Sequence, residues 1–257
     1  MPDTMAENRH SSQEPRFLPC GDTALCVEFG DSIDRQVSAR VLALGRRVEA
    51  ASLPGVVDLV PTFRSLLVHY DPAALSQAQL ISQLEPLLAG LDATEGPGRH
   101  WHLPACYDPS VALDLEDVAN RTGLSADGVV RLHSATTYHV YMLGFLPGFP
   151  YHGDLPPELA LPRRENPRTK VPAGSIAIAT TLSSIYALES PGGWHVVGRT
   201  PVRLWDMRRE SPALLRAGDK IVYQPVSLPE YEELARQAEL GELRIEPQPD
   251  AHSGPSA

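Results

Sequence analysis

The sequence is poor in cysteine, with three residues in a chain of 257. Cys20, Cys26 and Cys106 are odd in number, lack the short spacing of metal ligands, and are too few for a disulfide framework. We therefore expect them to be reduced and mostly buried. His133 and His152 do not supply missing ligands, because neither has a second histidine, cysteine or carboxylate at metal-ligand spacing. The sequence predicts no metal site.

The chain also lacks an excess of positive charge and a long apolar run. Its 22 lysine and arginine residues are outnumbered by 32 aspartate and glutamate residues, which gives a formal net charge of −10. That balance argues against binding to nucleic acid or anionic lipid, which requires clustered cations. The apolar runs are too short to cross a bilayer, and residues 1–15 are polar, unlike a signal peptide. We predict a cytoplasmic protein.

Motifs of several common active sites are missing as well. The sequence contains no G-x-x-x-x-G-K-[ST] phosphate loop, no G-x-S-x-G nucleophile elbow and no H-E-x-x-H zinc motif. An ATP-binding or hydrolytic centre that is complete within this chain is therefore not supported by any motif.

Proline and glycine, by contrast, are abundant. The 25 prolines and 19 glycines divide the chain into short elements, which favours a loop-rich β architecture over a helical bundle. At about 100 to 200 residues per domain, the length favours two domains. We predict an α/β domain over residues 16–98 and a β-barrel domain over residues 99–246. Residues 1–15 and 247–257 are polar and are predicted to be disordered.

The first half of the chain has the hydrophobic periodicities of both strands and helices. The predicted elements are a strand or hairpin over 17–29, a helix through Ile33 to Val48 capped by Asp31 or Ser32, strands over 56–60 and 66–70, and a helix over about 75–91. Pro86 should kink or end the second helix. With a strand near 100–106, the order is typical of the ferredoxin-like, split βαβ arrangement and of the α+β class.

The second half begins with two short helices, over 114–122 and from Ser125 to about Ser134. Helical periodicity then disappears, and Gly/Pro turns separate short β-like runs. These runs cover residues 138–145, 176–179, 185–188, 195–197, 202–205 and 220–224. Such spacing predicts a closed or nearly closed barrel. A last helix over 229–239 and a possible strand over 243–245 follow.

Four cations lie close together in a protein that is acidic elsewhere: Arg163, Arg164, Arg168 and Lys170. Arginine presents paired donors to paired oxygens, so the cluster suits recognition of a carboxylate or a phosphate. A solvated loop whose arginines meet surface carboxylates is equally consistent with the sequence, and such pairs contribute only about 0 to 1 kcal/mol. Both interpretations stay open.

Two glycines precede Trp194 in the segment ALESPGGWHVVGRTP. Gly192 and Gly193 permit positive φ and close backbone approach, so a ligand or a neighbouring strand could lie against them. A tight hairpin is the simpler alternative. Glu189 is a candidate general base or a structural partner for an arginine of the 163–168 loop.

The segment YMLGFLPGFPY, residues 141–151, combines aromatic residues with glycines and prolines that exclude a helix. If Tyr141, Phe145, Phe149 and Tyr151 are exposed, they form an apolar patch of the kind that marks a protein interface or a ligand groove. Gly and Pro limit the entropy that the backbone loses on docking. We therefore predict that these four aromatic residues form a partner interface.

Three long segments resemble the KipI family, whose members are also known as the B subunit of 5-oxoprolinase and as allophanate hydrolase subunit 1. They are RLHSATTYHVYMLGFLPGFPY, TKVPAGS and LESPGGWHVVGRTP, within a resemblance that runs from Gly21 to Pro225. The chain departs from the family where GIAGxQTGIYP is usual, because it has AIATTLSSIYA. Leu182 then stands at the usual Gln position, and Ser184 and Ala187 replace Gly and Pro.

The resemblance implies a small α/β domain followed by a cyclophilin-like β-barrel. It implies that the partner is the KipA-like C subunit, which is joined in the 5-oxoprolinase system by the LamB/YcsF-type A subunit. Together these proteins open 5-oxo-L-proline to L-glutamate with hydrolysis of ATP. Other members of the family form the carboxyltransferase part of urea carboxylase, and one bacterial member inhibits a sporulation histidine kinase.

Two hypotheses follow from the residues and the resemblance. In the first, the chain is one subunit of an amide-cleaving complex that uses ATP. Its candidate catalytic residues are Glu189 and Lys170, and its candidate substrate-binding residues are Arg163, Arg164, Arg168, Gly192 and Gly193. In the second, the chain docks on a kinase or another partner through its aromatic loop and catalyses nothing. A carboxyltransferase or allophanate hydrolase-type subunit of urea metabolism is a further alternative.

Overall fold

A computed structural model describes residues 14–91 and 98–248. The described residues fall into two compact units, 14–91 and 98–248. The described residues contain five α-helices and a closed barrel of seven strands, so the predicted α+β class is confirmed. Apart from residues 14–15 and 247–248, the segments predicted to be disordered lie outside the described residues. Within the described part of the chain, no helix is both long and apolar enough to cross a membrane.

The first unit is an antiparallel sheet with two helices. Its elements are β1 (Arg16–Pro19), β2 (Ala24–Glu28), α1 (Arg35–Ala51), β3 (Val56–Pro61), β4 (Ser65–Tyr70) and α2 (Gln77–Leu88). The strand order is β1-β2-β4-β3, and each neighbouring pair is antiparallel. The predicted run 17–29 is thus a hairpin of two strands.

Helix α1 buries one apolar face against the sheet. Val41, Leu44 and Val48 belong to the same buried core as Leu66 and Val68 of β4. The capping residue is Asp34, whose carboxylate accepts hydrogen bonds from the backbone N–H groups of residues 36 and 37. The predicted caps, Asp31 and Ser32, are therefore wrong, because the helix begins after Asp34.

Helix α2 begins at a capping box formed by Ser76 and Gln79. Pro86 lies inside the helix, so the predicted end at Pro86 is wrong, and the predicted kink stays a prediction. So close to the C-terminus, a proline removes one backbone hydrogen bond. Leu84 is fully buried, and the two leucines after Pro86 pack on the same core. Arg47 of α1 also binds the carbonyls of residues 87, 89 and 90 at 2.7–2.8 Å, which satisfies acceptors that a helix end leaves open.

The second unit is built on the closed barrel. Its strands are β5 (His100–Cys106), β6 (Tyr138–Leu143), β7 (Pro150–Gly153), β8 (Arg168–Val171), β9 (Ser175–Ala179), β10 (Leu182–Ile185), β11 (Ser190–Gly192), β12 (His195–Arg199) and β13 (Lys220–Val226). Its helices are α3 (Leu115–Thr122), α4 (Ala126–Ala135) and α5 (Leu228–Leu240). The barrel order is β10-β7-β6-β13-β5-β12-β9, and β8 and β11 form a separate two-stranded ribbon.

The sequence predicted that strand β5 completes the βαββα order of the first unit. In the structure β5 belongs to the barrel of the second unit instead. It pairs in parallel with β13, from His100 opposite Lys220 to Cys106 opposite Val226. Its side chains at Leu103 and Ala105 are fully buried in the barrel core. The sequence placed a strand here correctly, but the residues of a strand do not say which sheet supplies its partner.

Several predicted strands differ from the structure. The run 138–145 ends as a strand at Leu143, and of the run 185–188 only Ile185 is in a strand, as the last residue of β10. The run 202–205 makes one isolated bridge, between Trp205 and Ala213, and the run 243–245 is not a strand. Val202 and Leu204 are nevertheless buried, so their apolar character reflects packing rather than sheet pairing.

The cysteines are unpaired, as predicted, but they are not mostly buried. Cys106 is buried in β5, Cys26 is half-buried, and Cys20 is exposed beyond the end of β1. Burial raises the pKa of the Cys106 and Cys26 thiols. Both groups are therefore held as thiols at neutral pH.

The barrel core contains a buried group of histidines and tyrosines. The Tyr107 hydroxyl lies 2.8 Å from Nδ1 of His133, and the Tyr223 hydroxyl lies 2.8 Å from Nε2 of His152. The rings of His133 and Tyr223 stack with centroids 4.8 Å apart. Burial lowers the pKa of each histidine to about 3, so both imidazoles are neutral at physiological pH.

These two histidines predict a pH-dependent stability. In the unfolded chain they bind protons with a pKa near 6.5, whereas in the folded chain they stay neutral until about pH 3. Stability should therefore fall as the pH drops below 6.5. Two protons bound only by the unfolded state give a slope of about 2.5 kcal/mol per pH unit between pH 5 and 6. Urea unfolding at a series of pH values measures this slope. His152→Gln should reduce it by about half, and an unchanged slope would contradict the assignment.

Candidate functional site

One buried carboxylate holds the cationic loop against the barrel. Asp114 precedes α3 and is 3% exposed. Its oxygens accept two hydrogen bonds from Arg168, at 2.7 and 2.8 Å, one from Arg164, and one from the backbone N–H of Val196 at 2.7 Å. The backbone N–H of Asp114 also donates to the Val196 carbonyl. Two of the four predicted cations therefore serve the fold, through a buried carboxylate and not through the surface carboxylates of the structural alternative.

The cationic loop is also tied directly to the PGGW segment. The backbone N–H of Arg164 donates to the Gly193 carbonyl at 2.8 Å. Strands β8 and β11 pair with Val171 opposite Ser190 and Arg168 opposite Gly192. The structure thus brings together two segments that the sequence analysis selected independently.

Next to these loops lies a group of rings that we call the aromatic–arginine cluster: Phe145, Phe149, Tyr151, Tyr186, Trp194 and Arg163. Phe149 is at its centre, with ring centroids 5.1 Å from Tyr151, 5.3 Å from Tyr186 and 6.4 Å from Trp194. The Tyr151 and Trp194 centroids are 6.1 Å apart. These separations and inclined rings are the preferred geometry for aromatic packing.

Arg163 completes the cluster as an exposed cation. Its guanidinium carbon lies 6.0 Å from the Trp194 ring centroid. Among the described residues, no carboxylate forms an ion pair with it. Burial raises the pKa of Tyr151 and of Tyr186, and the nearby charge of Arg163 partly opposes that rise. Arg163 therefore keeps donors that can bind an anionic ligand beside an aromatic wall.

The two candidate catalytic residues form a surface ion pair. Lys170 Nζ lies 2.9 Å from a Glu189 oxygen, and their side chains are 75% and 54% exposed. Glu189 raises the pKa of the Lys170 ammonium, which keeps it protonated. Glu189, the candidate general base, therefore pairs with Lys170 and not with an arginine of the 163–168 loop, and its role as a base stays a prediction.

Glycine at position 192 is required by a close approach and not by a positive φ. Neither Gly192 nor Gly193 is in the left-handed region, so that part of the prediction is wrong. A Cβ at Gly192 would overlap the Tyr186 hydroxyl, whereas a Cβ at Gly193 would lie 3.5 Å from Pro167, an ordinary contact. Gly192 thus makes room for the Tyr186 hydroxyl in the cluster.

The predicted partner interface is only partly at the surface. Tyr141 and Phe149 are 3% and 2% exposed, because Tyr141 packs on His139 and Phe149 lies beneath the other rings of the cluster. The prediction that Tyr141 and Phe149 are surface residues of an interface is therefore wrong. Phe145 is 61% exposed and has a φ of 65°, in the region that disfavours a side chain, and Tyr151 is half-buried. The exposed apolar surface of this loop is therefore concentrated at Phe145.

Sequence inspection missed Asp114, Tyr186 and Trp194 as site residues. Asp114 looked like the start of a short helix, which it is, and its second role depends on arginines about 50 residues away.

Ser184, which stands where the family pattern has glycine, connects two strands. Its hydroxyl donates to the Pro150 carbonyl at 2.6 Å and so joins β10 to β7. Within the described residues, no group of three His, Cys, Asp or Glu side chains could hold a metal ion.

Comparisons with known proteins agree with this architecture. Residues 15–215 match the family described as carboxyltransferase domain, subdomain C and D. The chain is similar to the B subunit of 5-oxoprolinase from Bacillus subtilis, with 36% identity over 82% of this chain and 92% of that protein. It resembles the crystal structure of TTHA0988 with a TM-score of 0.72 and 38% identity, over 79% of this chain and 40% of that chain. The Kluyveromyces lactis urea carboxylase shares the fold, with a TM-score of 0.76 and 22% identity over 91% of this chain and 24% of that chain.

Removal of the Asp114 charge should destabilise the protein. Asp114→Asn leaves Arg164 and Arg168, 26% and 23% exposed, without their carboxylate. Breaking such a pair should lower the free energy of unfolding by about 2 to 4 kcal/mol, allowing for the partial exposure of both arginines. Urea unfolding at pH 7 measures the change. Asp117→Asn is the control, because that carboxylate is 52% exposed and should matter by less than about 0.5 kcal/mol. Equal effects of the two substitutions would contradict the role of Asp114.

The two glycines of the PGGW segment should respond differently to a methyl group. Gly192→Ala forces a shift of the buried Tyr186 ring and should cost about 1 to 3 kcal/mol of stability. Gly193→Ala meets Pro167 at an ordinary distance and should cost less than about 0.5 kcal/mol. Thermal or urea unfolding of the two variants measures both losses of stability. A larger loss for Gly193→Ala than for Gly192→Ala would contradict the packing of Tyr186 against Gly192.

Proposed function

Because the chain belongs to the family of carboxyltransferase domains, subdomains C and D, we propose that it is the B-type subunit of an ATP-dependent complex that opens 5-oxo-L-proline to L-glutamate. The observation that carries the proposal is the similarity to the B subunit of 5-oxoprolinase from Bacillus subtilis across nearly the whole of that protein. The proposed partner is the KipA-like C subunit, joined by the LamB/YcsF-type A subunit.

The aromatic–arginine cluster supports this substrate class. 5-Oxoproline carries one carboxylate on a small ring, and Arg163 offers guanidinium donors beside the indole of Trp194. In this proposal the carboxylate binds Arg163 and the ring lies against the aromatic wall. Arg164 and Arg168 act indirectly, since their bonds to Asp114 position the loop that carries Arg163.

The cluster suits binding better than catalysis. Lys170 and Glu189 neutralise each other at the surface, and Tyr186 and Tyr151 have pKa values that burial raises. Opening a lactam with ATP needs activation of the amide and of a water molecule. We therefore assign those steps to the assembled complex, with this chain supplying substrate recognition.

Phe145 is the proposed contact to the KipA-like partner. It is 61% exposed, it packs on Phe149, and its left-handed backbone conformation is one that a buried core rarely requires of an aromatic residue. The same exposed ring also favours the second candidate function, a regulatory module that docks on a partner without turnover.

The test is turnover by the assembled complex. Co-expression with the KipA-like and LamB/YcsF-type partners should yield a stable assembly that releases phosphate only when 5-oxoproline is present. Arg163→Ala should lower kcat/KM by about 10- to 100-fold, mainly through KM, because it removes one charge-assisted contact to the substrate. Arg131→Ala is the matched control, since Arg131 is an exposed arginine of α4 outside the cluster.

The possible failures are distinguishable. Equal kinetics of the Arg163 and Arg131 variants would exclude Arg163 as the carboxylate site and leave the proposed function intact. A complex that turns over no 5-oxoproline would contradict the proposed function. Stable capture of a histidine kinase without turnover would favour the regulatory alternative, and carboxylation of urea by a complex with a biotin-bearing partner would favour the carboxyltransferase alternative.

A further inference from the structure

The loop that carries Arg163 has no regular structure to hold it. Residues 161–167 belong to no helix or strand, so they lack the ladder of backbone hydrogen bonds that pairs β8 with β11. The position of the Arg163 guanidinium, 6.0 Å from the Trp194 ring centroid, therefore depends on individual contacts of the loop.

Two hydrogen bonds hold the residues on either side of this arginine. The Arg164 backbone N–H donates to the Gly193 carbonyl at 2.8 Å, and the Pro162 carbonyl accepts from Nε2 of His195 at 2.9 Å. Trp194 lies in the sequence between the two residues to which the loop is bound. The two bonds therefore align the loop with the PGGW segment and bring the arginine to Trp194.

The side chain of His195 is fully buried and makes one of these two bonds. Because a carbonyl oxygen only accepts, Nε2 carries the hydrogen of the bond to Pro162. Among the described residues, the other ring nitrogen, Nδ1, has no hydrogen-bond partner. Asp117 lies 3.7 Å from Nδ1, too far for a hydrogen bond, and its half-exposed carboxylate also faces Arg121. The imidazole thus directs its hydrogen bond to the loop.

Core packing alone does not explain a histidine at this position. The next two residues of β12, Val196 and Val197, are fully buried and apolar, whereas the His195 ring is buried with one nitrogen unsatisfied, which is unfavourable. The bond between Arg164 and Gly193 joins backbone atoms and does not depend on the side chains. The bond to Pro162 does, so a substitution of His195 can release the loop.

We propose that His195 is a positioning residue that fixes the Pro162 carbonyl and so holds the Arg163 guanidinium beside Trp194. The inference rests on the proposed function, in which Arg163 binds the carboxylate of 5-oxoproline. His195 acts through Arg163, because its own ring is fully buried. A loop that is already fixed loses less freedom when the ligand binds, so His195 contributes to substrate affinity and not to the chemical step.

Kinetics of the assembled complex test the hydrogen bond with a matched pair of variants. His195→Met removes the donor, whereas His195→Gln has a side chain of the same length and keeps an amide N–H for Pro162. His195→Met should raise KM for 5-oxoproline by about 3- to 10-fold and change kcat by less than about twofold, because one hydrogen bond is lost. His195→Gln should stay within about twofold of the wild-type KM.

A double-mutant cycle tests whether His195 acts through Arg163. In an Arg163→Ala background, His195→Met should change KM by less than about twofold, because the group that it positions is already missing. His69→Met is the control, since His69 is a histidine of β4 outside the aromatic–arginine cluster. It should leave KM unchanged in both backgrounds.

Hydrogen–deuterium exchange of the purified chain gives a readout that needs no turnover. His195→Met should speed exchange in residues 163–166, and His195→Gln should not, with residues 16–28 unchanged in both variants. A wild-type complex that turns over no 5-oxoproline would contradict the proposed function, and exchange would then decide alone whether His195 holds the loop.

Four results would overturn the inference: a wild-type KM in His195→Met, equal kinetic effects of His195→Met and His195→Gln, an undiminished effect of His195→Met in the Arg163→Ala background, or unchanged exchange in residues 163–166. Melting temperatures show whether each variant is folded in the assay. If His195→Met does not fold, His195→Asn takes its place, because its shorter amide does not reach Pro162, and the same four outcomes apply.

Discussion

The arrangement of the loops on this side of the barrel depends on the hydrogen bonds and ion pairs that the buried carboxylate of Asp114 accepts. It receives Arg164, Arg168 and the Val196 backbone, and so connects the start of α3, the cationic loop and strand β12. Breaking such an arrangement leaves partly buried cations unpaired, which costs more than the pair itself contributes. The positions of the PGGW segment and of Arg163 follow from it, since the Arg164 backbone also binds Gly193.

This interaction separates cations that support the fold from cations that can meet a ligand. Arg164 and Arg168 direct their donors to Asp114, and Lys170 pairs with Glu189, which leaves Arg163 beside Trp194. A group of four neighbouring cations is therefore reduced to one exposed guanidinium on an aromatic wall. In the proposed function, the substrate class is inferred from the relatives, and Arg163 is the residue proposed to bind its carboxylate.

The sequence predicted the architecture better than the site. Alternating apolar residues and Gly/Pro turns identified most barrel strands, because periodicity reports burial directly. The partner of β5 was missed because it lies more than 100 residues away, and the burial of Phe149 was missed because it depends on two rings from distant segments, Tyr186 and Trp194. Pro86 does not end α2, because tertiary packing outweighs one lost hydrogen bond. Long-range pairings such as Asp114 with Arg168 leave no local signal.

The central claim is that Asp114 holds the cationic loop and the PGGW segment together. Hydrogen–deuterium exchange of the Asp114→Asn variant tests it most directly, because exchange reports local opening segment by segment. The account predicts faster exchange in residues 163–171 and 190–196 together, with residues 16–28 of the first unit unchanged. Unchanged protection in both segments, or loss in only one of them, would contradict it.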